Sequence, residues 1–486
     1  MKLLKVMCVL ALVFAVSAIA HAETQSVKVS GDITLRALAR CDYDLDANDP
    51  DTADTGEQSN DWASHLMSTA EVQIDADLTD NVSAVVRLIN QRQWGDGLYD
   101  SASLGTELGQ ITGIRDVVVA RQTNPGNAGA FDVELDLAYI ELKEFLYSPL
   151  TLRIGRQDLW FGKGFIIGAN LQNNNNSIYA AEYTAIRSFD AIRATLDYDP
   201  WTIDAVYAKM SENMRRSDDD INLFGVNVGY VFDAYNGEAE AYWWMRQDRN
   251  PAAGAAQTAM TIRSVDKVIE NDCHTIGLRG SFDPIEDWTI ALEGAYQCGQ
   301  FLGIAQQRNE RNREAFAIDA AIECRYWQDD FAWRPVAGVE YIYYSGDKHM
   351  GDRDVDTSGN YDGWDQMYRG KFDTAIREWQ NVFYRTAQVS NPACTNQHQL
   401  LVTGSVEPTD SLTFEALYGH FWLDKSYSEA NSNKNIGDEV DLSLTWDYTE
   451  DVSFNLLGAW FFPGAHWNDS QDDIAADVVG TVKLSF

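Results

Sequence analysis

The sequence predicts an all-β chain closed into a transmembrane antiparallel barrel of about 18 strands. Three observations carry that expectation. Beyond residue 22, apolar or small residues alternate with polar ones in runs of about ten positions. That is the length a tilted membrane strand needs, whereas strands of soluble sandwiches usually stop at about five or six. Short polar connections alternate with long ones without a break, the asymmetry of periplasmic turns and extracellular loops. Finally, 15 Trp, 22 Tyr and 20 Phe stand against only 10 Pro, a composition that suits strands, where Pro cannot pair.

The first residues read as an export signal. Lys2 and Lys5 precede the apolar run Val6–Ile19, and Ala20-His21-Ala22 fits a small-residue cleavage site. Residues 1–22 are therefore expected to be a signal peptide and residues 23–486 a single barrel domain. After the signal no run approaches the ~18 apolar residues of a membrane helix. The formal charge is −37 and becomes more negative by two when the signal is removed. Such a charge repels nucleic acid and anionic headgroups, so neither is an expected partner.

Alternation marks strands in order at Val27–Arg36, Ala70–Leu78, Val82–Leu88, Ile192–Tyr198, Phe224–Phe232, His274–Phe282, Phe316–Tyr326, Val440–Tyr448 and Ala476–Phe486. Short links are expected at Thr79–Asn81, Lys143–Pro149, Asp199–Pro200, Asp233–Gly237, Asp283–Asp287, Gln328–Phe331, Glu407–Ser411 and Thr449–Asp451. Longer polar links fall near 41–62, 95–130, 163–187, 211–219, 249–270, 302–312, 345–396, 424–435 and 463–473. Eight short and nine long connections separate 18 strands, with both termini on the periplasmic side. Trp160-Phe161, Trp243-Trp244, Tyr341 with Tyr343-Tyr344, Phe421-Trp422 and Trp460-Phe461-Phe462 are candidates for interfacial aromatic girdles. The chain ends on an alternating strand with a terminal Phe486, as outer-membrane proteins do.

Chemistry-bearing motifs are sparse. Cys41, Cys273, Cys298, Cys324 and Cys394 match no zinc or haem spacing, and their odd number leaves at least one unpaired. Cys273 and Cys298 flank the turn at Asp283–Asp287 almost symmetrically, which allows a disulfide or two small apolar residues on a sheet. Neither a nucleophile elbow nor a His-Glu-x-x-His or phosphate loop is found, so an enzyme is not expected. One loop has coordination chemistry behind it. Asp354, Asp356, Ser358, Asp362 and Asp365 occupy positions 1, 3, 5, 9 and 12 of an EF-hand-like run with Gly359 at 6, although Asp replaces the bidentate Glu. It is a candidate for structural Ca²⁺, set against a plain solvated acidic loop.

Several segments resemble the alginate-export family of outer-membrane porins. Leu152-Arg153-Ile154-Gly155-Arg156-Gln157-Asp158-Leu159 is similar to that family's Arg-x-Gly-Arg-Gln strand, between Ala138–Leu142 and Phe189–Arg193. Tyr344-Ser345-Gly346-Asp347, Gly437–Leu442 and Phe461-Phe462-Pro463-Gly464 follow in family-like order. The resemblance implies a Gram-negative outer-membrane location, an 18-stranded barrel and passive export of an anionic polysaccharide through an arginine-lined lumen, with periplasmic export partners. On the polar phase of the strands, however, ten basic residues face twenty acids. Arg153 and Arg193, on neighbouring strands, are the first candidates for a positive constriction, with Arg87, Arg279 and Arg325 behind them. The competing expectation is that each arginine pairs with a wall carboxylate. A diffusion porin for small or cationic solutes, a barrel-embedded hydrolase and a non-conducting adhesive barrel remain as alternatives.

Overall fold

The computed structural model describes residues 26–43, 45, 63–94, 133–171, 181–212, 220–249, 271–302, 310–325, 331–348, 359–380, 394–426, 432–467 and 471–486. Eighteen strands follow one another: β1 Ser26–Cys41, β2 Ala63–Thr79, β3 Val82–Gln93, β4 Glu134–Leu142, β5 Leu150–Gln157, β6 Phe189–Asp197, β7 Trp201–Ser211, β8 Ile221–Phe232, β9 Gly237–Asp248, β10 Asn271–Ile285, β11 Trp288–Leu302, β12 Glu310–Cys324, β13 Val336–Tyr344, β14 Gln397–Thr409, β15 Leu412–Leu423, β16 Asn435–Asp447, β17 Val452–Pro463 and β18 Ala475–Ser485. Each pairs antiparallel with its sequence neighbours, and β1 pairs with β18, so the sheet closes without an edge. Closure satisfies every ladder group inside the bilayer, where water is not at hand to do so.

The period of two sorts the side chains. In β1 Val27, Val29, Ile33 and Leu35 point outward and are exposed, while Arg36, Leu38 and Arg40 point inward. Register carries this phase around the wall: Asp32 opposes Glu71, Gln73 opposes Arg87, and Glu141 opposes Arg153, which opposes Arg193. Burial is therefore inverted relative to a soluble protein. Ile276, Leu278, Leu292 and Phe316 are exposed on the outer face, and the apolar core fills part of the lumen.

The strands depart from expectation at their ends. β1 and β2 run for 16 and 17 residues, longer than the roughly ten that a tilted membrane strand needs. β10 consumes most of the expected turn at 283–287, and β11 and β12 reach into the expected loop at 302–312. The turn expected at 328–331 is instead a connection from 325 to 335. In β4 a register shift opposite Arg87 and Leu88 turns both Asp136 and Leu137 inward. That bulge explains why the segment near Ala138 reads in either phase.

One open alternative is decided and one sequence expectation is corrected. Cys273 and Cys298 are one residue out of register: Cys273 faces Gly299, and Cys298 faces His274. With a side-chain period of two, this places the thiols on opposite faces of the wall, and both are free. Trp160 and Phe161 do not belong to a membrane girdle. They lie in a loop folded into the barrel, where Phe161 packs on Trp244 at 4.8 Å. The other aromatic clusters split between faces. Trp243 is outward while Trp244 is buried inside, and Trp422 and Phe462 are outward beside inward Phe421 and Phe461. On the outer face Tyr341 bonds His398 Nδ1 at 2.7 Å, and His398 stacks on Trp422 at 5.0 Å.

Candidate solute pathway through the lumen

Two long connections fold inward. The one between β5 and β6 begins with Leu159, Phe161, Phe165, Ile166 and Ile167, all buried in the lumen core. The one between β13 and β14 brings in Trp364, Met367, Tyr368 and Ile376. They meet backbone to backbone. Tyr368 N donates to Ile166 O at 3.1 Å, Gly168 N to Tyr368 O at 2.8 Å, and Gly370 N to Gly164 O at 2.9 Å. Gly168 and Gly370 abut so closely that a Cβ on Gly370 would stand 2.6 Å from Gly168 backbone, which is why neither position tolerates a side chain.

The second loop is fastened to the wall at three places. Asp365 is held by Arg246 of β9 through paired bonds of 2.8 and 2.5 Å, with Arg313 of β12 at 3.5 Å. Gln297 of β11 completes the clasp by accepting from Asp365 N at 2.9 Å. Burial would raise the Asp365 carboxyl, but the two guanidinium groups override it and hold it well below the usual carboxylate range. Lys371 reaches Asp319 of β12 at 2.9 Å and Glu340 of β13 at 2.5 Å. On β16, Asp441 accepts from Ala375 N at 3.0 Å, and Glu439 accepts from Ile376 N and Arg377 N at 2.7 and 2.8 Å.

The five arginines singled out in the sequence all carry carboxylate partners. Arg153 and Arg193 are directly opposite across β5 and β6, but their guanidinium groups turn apart. Arg153 bonds Glu141 at 2.6 Å over the Tyr139 ring, and Arg193 bonds Asp204 at 2.7 Å over Phe161. Arg87 contacts Asp136 at 2.6 Å and Asp158 at 3.3 Å, with Glu71 at 3.8 Å. Arg279 lies between Glu238 and Glu240 at 2.5 and 2.6 Å. Arg325 follows the last residue of β12 and pairs with Glu323. Four of the five thus sit on the lumen wall and the fifth at its periplasmic end, each locally neutralised.

What the inward loops leave open is a cavity of about 600 Å³ against β13–β17. Tyr183, Arg187, Phe372, Asp373 and Trp379 line it from the loops, and Glu323, Thr403, Glu415, Asp441 and Ser443 from the wall. Arg187 stands here with Thr184 O as its hydrogen-bond acceptor at 3.4 Å and no carboxylate within ion-pair distance among the described residues. Arg36 of β1 stacks over the Tyr183 ring at 5.1 Å, also without a carboxylate within ion-pair distance among the described residues. The two cations lie near enough to feel each other. Burial weakens the Arg187 guanidinium as a base, and Asp158 opposes that shift. Tyr183 is held in place because adjacent Glu182 bonds Arg40 at 2.5 Å.

Sequence reasoning passed over Arg187, which fell at the end of an expected extracellular loop. The available signal was the run Leu159–Ala169, too apolar to be solvated and therefore due to fold inward. Of the candidate calcium positions, Asp354, Asp356 and Ser358 lie outside the described residues. Asp365 is occupied by two arginines as above, and burial raises the Asp362 carboxyl.

Comparisons with known proteins agree with this architecture. The model of the alginate export family matches residues 43–481. No curated protein matches the chain. Among solved structures it is similar to OpdO of Pseudomonas aeruginosa, at TM-score 0.51 and 10% identity, covering 96% of this chain and 98% of that one. It is likewise similar to OccK2 (OpdF) of the same organism, at TM-score 0.53 and 12% identity over 95% and 99%. OccK2 solved in complex with glucuronate aligns at TM-score 0.52 and 11% identity over 95% and 99%.

Proposed function

The chain belongs to the alginate-export family of the Gram-negative outer membrane, and from that premise we propose that it is a passive channel for uronate-type sugar acids, which cross beside Arg187 and Arg36. The observation that carries the proposal is the contrast in pairing. Arg87, Arg153, Arg193 and Arg279 are each cancelled by a carboxylate at 2.6–2.7 Å, whereas Arg187 at the cavity and Arg36, stacked on the cavity-lining Tyr183, have no carboxylate within ion-pair distance among the described residues. A guanidinium offers a planar fork of donors that matches a carboxylate, and a low-dielectric wall strengthens the attraction. The flanking Tyr183 and Trp379 give apolar faces against which a sugar ring can slide. The glucuronate complex of OccK2 supports this class of solute on the same barrel type.

A second reading has its own observation. Glu323, Asp373, Glu415 and Asp441 line the same cavity, and Glu415 has no cation within ion-pair distance among the described residues. That wall favours cations. Ion currents through the purified barrel, with glucuronate added to one side, separate the two. The uronate reading expects a concentration-dependent block that Arg187→Gln with Arg36→Gln removes. A channel that stays cation-conducting and is never blocked supports the second reading.

A further inference from the structure

The three clasps that fasten the inward loop are not equivalent. At the first, Asp365 meets two arginines, and at the second Lys371 meets two wall carboxylates, so opposite charges face each other at both. At the third, no cation lies within ion-pair distance of the carboxylates among the described residues. Glu439 and Asp441 lie two residues apart on the inward face of β16, both buried, and hold residues 375–377 through three backbone N–H donors alone. Arg377, the nearest cation in the sequence, sends its guanidinium to Gln397 Oε1 at 2.6 Å instead.

The segment held in this way is a compact body. Arg369 bonds Glu378 at 2.6 Å with both side chains buried, and Phe372 stacks on Trp379 at 3.9 Å. Glu378 Oε2 also accepts from Thr374 N at 3.2 Å. Phe372, Asp373, Thr374, Ala375 and Trp379 of this body form one side of the cavity. Moving it would widen the passage without disturbing the Asp365 and Lys371 posts or the backbone seam with Gly164 and Ile166.

We propose that residues 372–380 form a gate, hinged after Lys371, whose latch is the Glu439–Asp441 pair of β16. A carboxylate holds an N–H about twice as strongly when ionised as a neutral oxygen does, so the latch depends on charge that no cation among the described residues secures. The groups around it are Glu378 and Arg377 on the gate, Gln397 on β14 and Asp477 on β18, the last of these bound to Tyr43 at 3.1 Å. Opening therefore costs the three latch hydrogen bonds and the Gln397 contact, and it strains the two ion pairs that cross the hinge, Arg369–Glu378 and Lys371–Asp373.

The test uses the full-length barrel carrying Glu439→Gln with Asp441→Asn, which keeps size and removes charge. Single-channel recording is expected to show a larger mean conductance than the parent. Hydrogen exchange is expected to speed up across 372–380 while 364–371 stays protected. Unchanged conductance with unchanged exchange overturns the proposal. So does exchange that rises across 359–380 as one unit, because the loop then has no separate gate. Should the double variant not fold, Asp441→Asn alone is expected to show the same selective rise in exchange, and its absence overturns the latch.

Discussion

The lumen has two sides built from the same strands with opposite outcomes. Against β5–β12 the inward loops pack Phe161, Phe165, Phe189, Trp244 and Trp364 into a solid apolar core, and each arginine there meets a carboxylate. Against β13–β17 and β1 the lumen stays open around the cavity, and Arg36 and Arg187 have no such partner among the described residues. Charges on the first side act as fasteners and are cancelled locally. On the second, Lys371 and Arg40 are likewise paired, but Arg36 and Arg187 are left for a solute. Counting lumen charges therefore says little about selectivity until each is assigned to a side.

The largest expected break in this comparison is Asp365→Ala. It leaves Arg246 and the almost fully buried Arg313 without their shared partner, and such a loss costs about 3–5 kcal/mol. The unfolding midpoint in denaturant is expected to fall accordingly, with proteolysis newly admitted to 359–380. A change confined to conductance would mean that the clasp is not a fastener. Gly370→Ala comes next. Its Cβ would collide with Gly168 backbone, and relief by a backbone shift costs about 1–3 kcal/mol, read from the same denaturation curve.

Arg153→Gln sharpens the contrast from the packed side. Its partner Glu141 is partly solvated, so the stability loss is expected to stay near 1 kcal/mol, and block by uronate should persist. If Arg153→Gln abolished block while Arg187→Gln did not, the two sides would have to exchange roles. The smallest effect is expected at the periplasmic rim. Arg334 pairs with Glu407 at 3.3 Å and Asp410 at 3.0 Å, all in solvent, so Arg334→Ala should leave both stability and current close to the parent.

The barrel was legible because its signals are local. Alternation reports which face a residue takes, and the short–long rhythm of connections reports how many strands there are. Arg87, Arg153, Arg193 and Arg279 were placed on the lumen face by that phase alone. Their partners were not legible, since a pair such as Arg246 and Asp365 is separated by 119 residues and forms only when a loop crosses the lumen. The thiols at 273 and 298 show the limit of symmetry arguments about a hairpin, where a one-residue slip changes the face. The bulge at Asp136 hid its phase for the same reason.

The central question is whether a uronate engages Arg36 and Arg187, which have no carboxylate within ion-pair distance among the described residues. The decisive measurement is the glucuronate dependence of ion current through the unmodified channel, repeated with Arg36→Glu and Arg187→Glu together. A concentration-dependent block is expected for the parent, weakened at least about tenfold, or about 1.4 kcal/mol, in the variant, with an unaltered unfolding midpoint. A parent channel that conducts cations and shows no block at any glucuronate concentration would contradict it.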